Sequence, residues 1–208
     1  MSGARSLIPV LAAHPKMISV GWAGVLVVAL CSYATAQEDV DRLLREPVCG
    51  HHQDVRGFSL DLPASLCGHR YLHGFRVGLS GDDVRHRSIV VWASGNANFY
   101  KRSRDITVAA VEALKSEAAS GVHVLSRSST AVQGVPAERW RYTFRTRTDE
   151  VEHFVDMVAV LRPLRPNPKW SDYYEYSITL DTTRNDYAAD VNIFEAVLAS
   201  LAFSEPET

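Results

Sequence analysis

The sequence predicts an α+β fold, a mainly antiparallel sheet flanked by helices. Three observations carry this. Apolar residues alternate with polar ones in several segments, as at Phe58, Leu60 and Leu62, at Trp140, Tyr142 and Phe144, and at Tyr174, Tyr176, Ile178 and Leu180. That period of two marks half-buried strands. Past the leader, two segments carry a full helical stripe, one after Asp105 and one after Asp186. The β segments near the C-terminus are joined by short connections, and such a meander is antiparallel.

The chain has 208 residues and opens on a leader. Arg5 and Lys16 precede an apolar run from Met17 to Cys31, and Ala34-Thr35-Ala36 follows. This is the layout of a secretory signal peptide cut before Gln37. Met17 also offers a later start. The 20 residues from Met17 to Ala36 carry no charge and are long enough to span a bilayer, so a retained anchor is the alternative. The acidic flank Glu38-Asp39 and the small residues before Gln37 favour cleavage. Cys31 follows Leu30, where a lipoprotein signal has a small residue. The expected location is exported, periplasmic or extracellular. Cleavage leaves 172 residues with 20 basic and 24 acidic side chains, a net charge of −4. That length suits one domain, and that charge argues against nucleic acid or an anionic membrane as the main partner.

Residues 37–56 read as a charged N-terminal segment with one short helical turn at Val40, Leu43 and Leu44, stopped by Pro47. Residues 57–203 read as a single domain and 204–208 as a frayed tail. The first strand is Gly57 to Pro63. A weak second strand covers 74–80, a turn follows at Ser80-Gly81-Asp82-Asp83, and a more buried strand covers 87–94. After a polar loop, Asp105 is placed to cap a helix from Ile106 to Ala119, with Val108, Val111, Leu114 and Ala118 on its stripe. Gly121 ends it, and 122–128 is a strand. The meander then runs through 137–146, 150–161 and 170–182, with Pro163, Pro166 and Pro168 in the last connection. Asp186 begins the final helix, striped by Tyr187, Val191, Phe194, Leu198 and Leu201.

Cys49 and Cys67 remain after cleavage, and an even pair in an exported chain reads first as a disulfide. It closes a loop of 17 residues, worth roughly 3 kcal/mol by loop entropy. The alternative is a zinc site. The cysteines lie in Cys49-Gly50-His51-His52 and Cys67-Gly68-His69, with His73 close behind, and thiolate with imidazole suits zinc. The spacing matches no standard finger, and an oxidised pair offers no thiolates. Without the metal, His51, His52, His69 and His73 are polar loop residues, while His123 and His153 sit in strands as surface or satisfied histidines.

The runs "GVPAERWRYTF", "YYEYSITL" and "FEAVLASLAF", with "FSLDLP" at the start, resemble the Mog1/PsbP-like superfamily over roughly residues 57–203. The resemblance implies an α-β-α sandwich around an antiparallel sheet. It also implies an accessory, binding or assembly role, because such domains lack a shared active site. No functional residue carries over, and the Cys-Gly-His pairs and the proline-rich loop depart from the pattern.

Catalytic signals are weak. Gly78-Leu79-Ser80-Gly81-Asp82 brushes against a nucleophile elbow, but its fifth residue is Asp and its context is strand–turn–strand, so it reads as a turn. Arg139, Arg141, Arg145 and Arg147 line one strand face, opposite carboxylates such as Glu152 and Asp156. Such a row is either a solvated face or a surface for an anion or acidic partner. Trp170 beside the proline loop is a second candidate contact, next to Tyr173, Tyr174 and Tyr176. The sequence therefore points to a non-enzymatic binding or accessory domain without cofactor, with an unknown protein or small ligand as partner. A metal-binding protein is the alternative.

Overall fold

The structure is a computed structural model that describes residues 47–71, 74–79, 87–95, 100–117, 119–146, 151–165 and 173–205. The leader, the proposed turn at 37–46, Ser80, Arg147, Trp170 and His73 lie outside the described residues.

The strands are β1 (Val48–Cys49), β2 (His51–Asp54), β3 (Phe58–Asp61), β4 (Cys67–Tyr71), β5 (Gly74–Gly78) and β6 (Ser88–Gly95). Helix α1 (Ser103–Glu117) follows, then β7 (Ala119–Val132), β8 (Val135–Thr146), β9 (Glu152–Pro163) and β10 (Tyr173–Thr183). Helix α2 (Tyr187–Ser200) and β11 (Ala202–Phe203) close the domain. Eight strands form the main sheet in the order β1-β4-β5-β6-β10-β9-β8-β7, and β11-β3-β2 form a small second sheet. Every strand pair is antiparallel. The α+β expectation holds.

The main sheet is covered on both faces. Helix α1 lies across β7, β8 and β9. Its Ile106, Ala110, Val111 and Leu114 meet Trp140, Tyr142, Phe144, Val155 and Met157. On the other face, α2 and the small sheet bury Phe58, Leu60, Phe194 and Val197 against Phe75, Val91, Tyr176, Ile178 and Leu180. A strand with apolar residues on one face only leaves the other face to polar side chains. Here both faces of β9 and β10 are buried, so their polar residues go inside too.

Several boundaries differ from the sequence reading. The first expected strand, β3, belongs to the small sheet and not the main one. Strands β2 and β4 fall where loops are expected, because short polar runs carry little apolar signal. In β2 the exposure alternates residue by residue, and His52 is 1% exposed. Its ring stacks on Phe75 at 4.0 Å. The Cys67-Gly68-His69 run is strand β4. Gly68 is required by packing, since a Cβ there would lie 2.3 Å from Phe75 Cζ. Helix α1 starts at Ser103, and Val108 is exposed while Ala110 and Ala113 are buried. Asp105 accepts the amides of Lys101 and Arg102, which precede it, and so organises the turn into the helix. Asp186 makes no side-chain cap to α2; its carboxylate accepts from the Thr183 hydroxyl. Gly121 does not stop the helix. It sits in β7 at φ +73°, where the register with β8 shifts between Ser120 and His123, a bulge that favours glycine. Strand β7 runs on to Val132 as the last strand of the sheet, and most of it is exposed.

Candidate functional site

The sulfurs of Cys49 and Cys67 stand at disulfide distance, joining β1 to β4 with a Cα–Cα separation of 4.3 Å. The bridge leaves no thiolate for a metal. His51 Nδ1 bonds Asp61 at 2.7 Å on the surface, His52 is in the core, and His69 is on β4. Among the described residues no three His, Cys, Asp or Glu side chains are grouped to hold a metal.

The expected arginine face turns out to lie toward α2, and its members are not alike. Arg139 donates to both oxygens of Asp156 at 2.7 and 2.6 Å and to Glu195 at 2.6 Å. Arg141 Nε donates to Asp156 at 2.9 Å, and the Tyr187 hydroxyl donates to it at 3.1 Å. The bond to Asp156 above all holds the Arg139 guanidinium above its ordinary value, and Glu195 adds to it. Arg139 and Arg141 are thus committed to a buried carboxylate, while Arg145 is exposed. A like cluster sits at Asp190, where Arg87 donates at 2.6 and 3.0 Å and Thr182 adds its hydroxyl. Near the small sheet, Asp54 accepts from Arg56. Burial pushes that carboxyl up, but His52, the Arg56 amide and the Arg56 guanidinium outweigh it and leave it below its usual value.

Sequence reasoning missed the α1-facing row of β10. Side chains two apart on a strand share a face, so Glu175, Ser177, Thr179 and Asp181 line up on the side away from Tyr176, Ile178 and Leu180. All four are buried. In register beside them stand Ser94, Trp92, Val90 and Ser88 on β6, and Leu161, Ala159, Met157 and Val155 on β9. Asp181 bonds His153 Nδ1 at 2.9 Å, and that ring stacks on Phe144 at 4.7 Å. Ser177 and Thr179 bond each other at 3.3 Å. Farther along the same face, Arg76 on β5 donates to Ser88 at 3.2 Å. Burial pushes the Glu175 carboxyl up to about 8. The Tyr100 hydroxyl is also raised, by burial first and by the nearby Glu175 charge second. A polar floor of this kind can hold a ligand by hydrogen bonds and can shift a proton at Glu175. The alternation at 174–180 places Glu175 off the apolar face, but its burial follows from covering both faces, which no local pattern reports.

Comparison with solved structures fits this architecture. The solution structure of cyanobacterial PsbP (CyanoP) from Synechocystis sp. PCC 6803 superposes with a TM-score of 0.53 at 11% identity, over 77% of this chain and 95% of that one. The chain carries the PsbP-like fold. LpqN, involved in cell envelope biogenesis of Mycobacterium tuberculosis, superposes with a TM-score of 0.50 at 13% identity, over 82% of this chain and 97% of that one. The Ran-binding protein Mog1p of Saccharomyces cerevisiae gives a TM-score of 0.45 at 8% identity, over 72% of this chain and 91% of that one. No family model matches the chain, and no curated protein matches it. Identities this low convey the fold alone.

Proposed function

We propose that the chain is an exported, non-enzymatic binding domain that holds its ligand on the polar face of the main sheet. The observation that supports this most is the buried row Glu175, Ser177, Thr179 and Asp181 in the central strand β10. A sheet built for stability alone gains most from apolar side chains there. Polar residues kept out of water at the centre of a fold suit recognition, where a few placed groups fix the orientation of a ligand. Export is supported by the leader pattern and by the Cys49–Cys67 pair at disulfide distance. Among the described residues no helix is long and apolar enough to cross a membrane. LpqN, which shares this fold and is involved in cell envelope biogenesis, is in keeping with export. The arginine surface narrows to Arg145, which with Trp170 is the proposed contact for an anionic or protein partner.

The test is the intact mass of the protein recovered from its own compartment, native and then denatured without reductant. The expected chain starts at Gln37, is two hydrogens lighter than the reduced form, and loses a non-metal adduct on denaturation. A mass retaining residues 17–36 makes it a membrane-anchored protein. A zinc-sized adduct with both thiols free restores the Cys49, Cys67, His51, His52, His69 and His73 metal reading.

A further inference from the structure

Five carboxylates are buried in the described part of this chain: Asp54, Asp156, Glu175, Asp181 and Asp190. Four have a partner of opposite or complementary character. Asp54 has Arg56, Asp156 has Arg139 and Arg141, Asp181 has His153, and Asp190 has Arg87. Glu175 is 4% exposed, and among the described residues no hydrogen bond or cation meets it; burial is the one influence acting on its proton. A buried polar group left without a partner costs stability. Among the described residues Glu175 is the exception to this pairing.

The surroundings say what kind of partner. Tyr173 lies two residues before Glu175 on the same side of β10. Trp92 stands opposite Ser177, one pair along on the same face and so diagonal to Glu175. Tyr100, just before α1, is close enough for the Glu175 charge to act on its hydroxyl. Tyr100 and Tyr173 both pack against the α1-side core. A carboxylate among aromatic rings lacks a counter-charge, and the ring faces attract cations. We propose that Glu175, walled by Tyr100, Tyr173 and Trp92, is the anionic floor of a site for an organic ammonium group. The proposal rests on the binding-domain reading and names the ligand class of that same face.

At pH 7 the free carboxyl holds its proton, since burial places it at about 8. The entering ammonium keeps its own proton and its positive charge. The Glu175 O–H bond breaks, the proton passes to buffer, and the carboxylate forms an ion pair with the ligand. Among the described residues the titratable groups on this side of Glu175 are Tyr100 and Tyr173. Strand β6 presents Ser94 and Trp92, β9 presents Leu161 and Ala159, and the buried side chains of α1 are not ionisable.

The experiment is calorimetric titration of the disulfide-intact protein with putrescine and with N-acetyl-lysine amide, each at pH 7 in two buffers of different ionisation enthalpy. The expected result is binding with release of about one proton per ammonium, as a carboxyl that titrates only on ligand entry requires. Release falls away above pH 9. Binding of putrescine assigns a free amine; binding of the blocked lysine alone assigns an ammonium carried on a polypeptide. Glu175→Gln is expected to weaken binding roughly a hundredfold with an unchanged circular dichroism spectrum. No heat with either probe, or binding without proton release, overturns the proposal, and the two-buffer measurement stands even if the variant does not fold. Failure here with an export mass and an adduct of other chemistry sinks the ligand class and leaves the binding reading standing.

Discussion

Asp156 is inaccessible to solvent, yet its two oxygens draw Arg139, Arg141 and Tyr187 from two different elements. Removing one partner of such a pair leaves a buried charge uncompensated, which costs about 3–5 kcal/mol. Asp156→Ala is therefore expected to lose that much in urea unfolding, and Asp156→Leu with Arg139→Met much less. Equal losses in the two would show that the charges were never desolvated. Glu175 behaves oppositely. Its folded value of about 8 lies above the ordinary 4.5, so between those limits the folded state binds the extra proton. That stability is full below about pH 4.5 and is lost as pH rises through 8, on the order of 5 kcal/mol in all. Glu175→Gln should match the native protein near pH 5 and exceed it at pH 9. Superimposable denaturation curves at pH 9 count against a carboxyl held neutral by burial. The burial of neither residue is visible in the sequence. Asp156 was legible as a carboxylate opposite the arginines, but its burial depends on α2, which begins some thirty residues later. His52 looks like a loop residue in the sequence because a four-residue polar strand has no apolar neighbours to betray its alternation.

At the scale of elements, β1 is a two-residue strand and is tied to β4 by the Cys49–Cys67 pair as well as by its own ladder. Cys49→Ser with Cys67→Ser is expected to lower stability by about 3 kcal/mol and to open the segment before β2 to limited proteolysis. The same protection with and without the cysteines is the adverse result. Long elements with strong periods were the ones legible in advance. The β8–β9–β10 meander and α2 appear close to their expected limits, because Trp140, Tyr142 and Phe144, or Tyr187, Phe194 and Leu201, repeat over several turns or pleats. Strands β2, β4 and the far half of β7 escaped. The first two are short and mostly polar, His-His-Gln-Asp and Cys-Gly-His-Arg-Tyr, and the third is an edge of Ser, Arg and Thr with almost no apolar signal. Of the expected α1 stripe, Val111 and Leu114 are buried and Val108 is exposed, while the small Ala110 and Ala113 widen the contact in a way that apolar size alone does not signal.

For the whole molecule, the class and the two covering layers followed from the pattern of elements, whereas the strand order did not. Local sequence gives neighbours along the chain, and the connection from β6 through α1 to β7 leaps from the middle of the sheet to its far edge. That leap has a consequence in time. Strands β4, β5 and β6 form one strip and β7, β8 and β9 another, and the joint between them is β10, made only after residue 172. A nascent chain that has reached Pro163 holds two half-sheets with open flanks and no seam. Closing the seam must await nearly the last fifth of the polypeptide, so the domain comes together late and all at once.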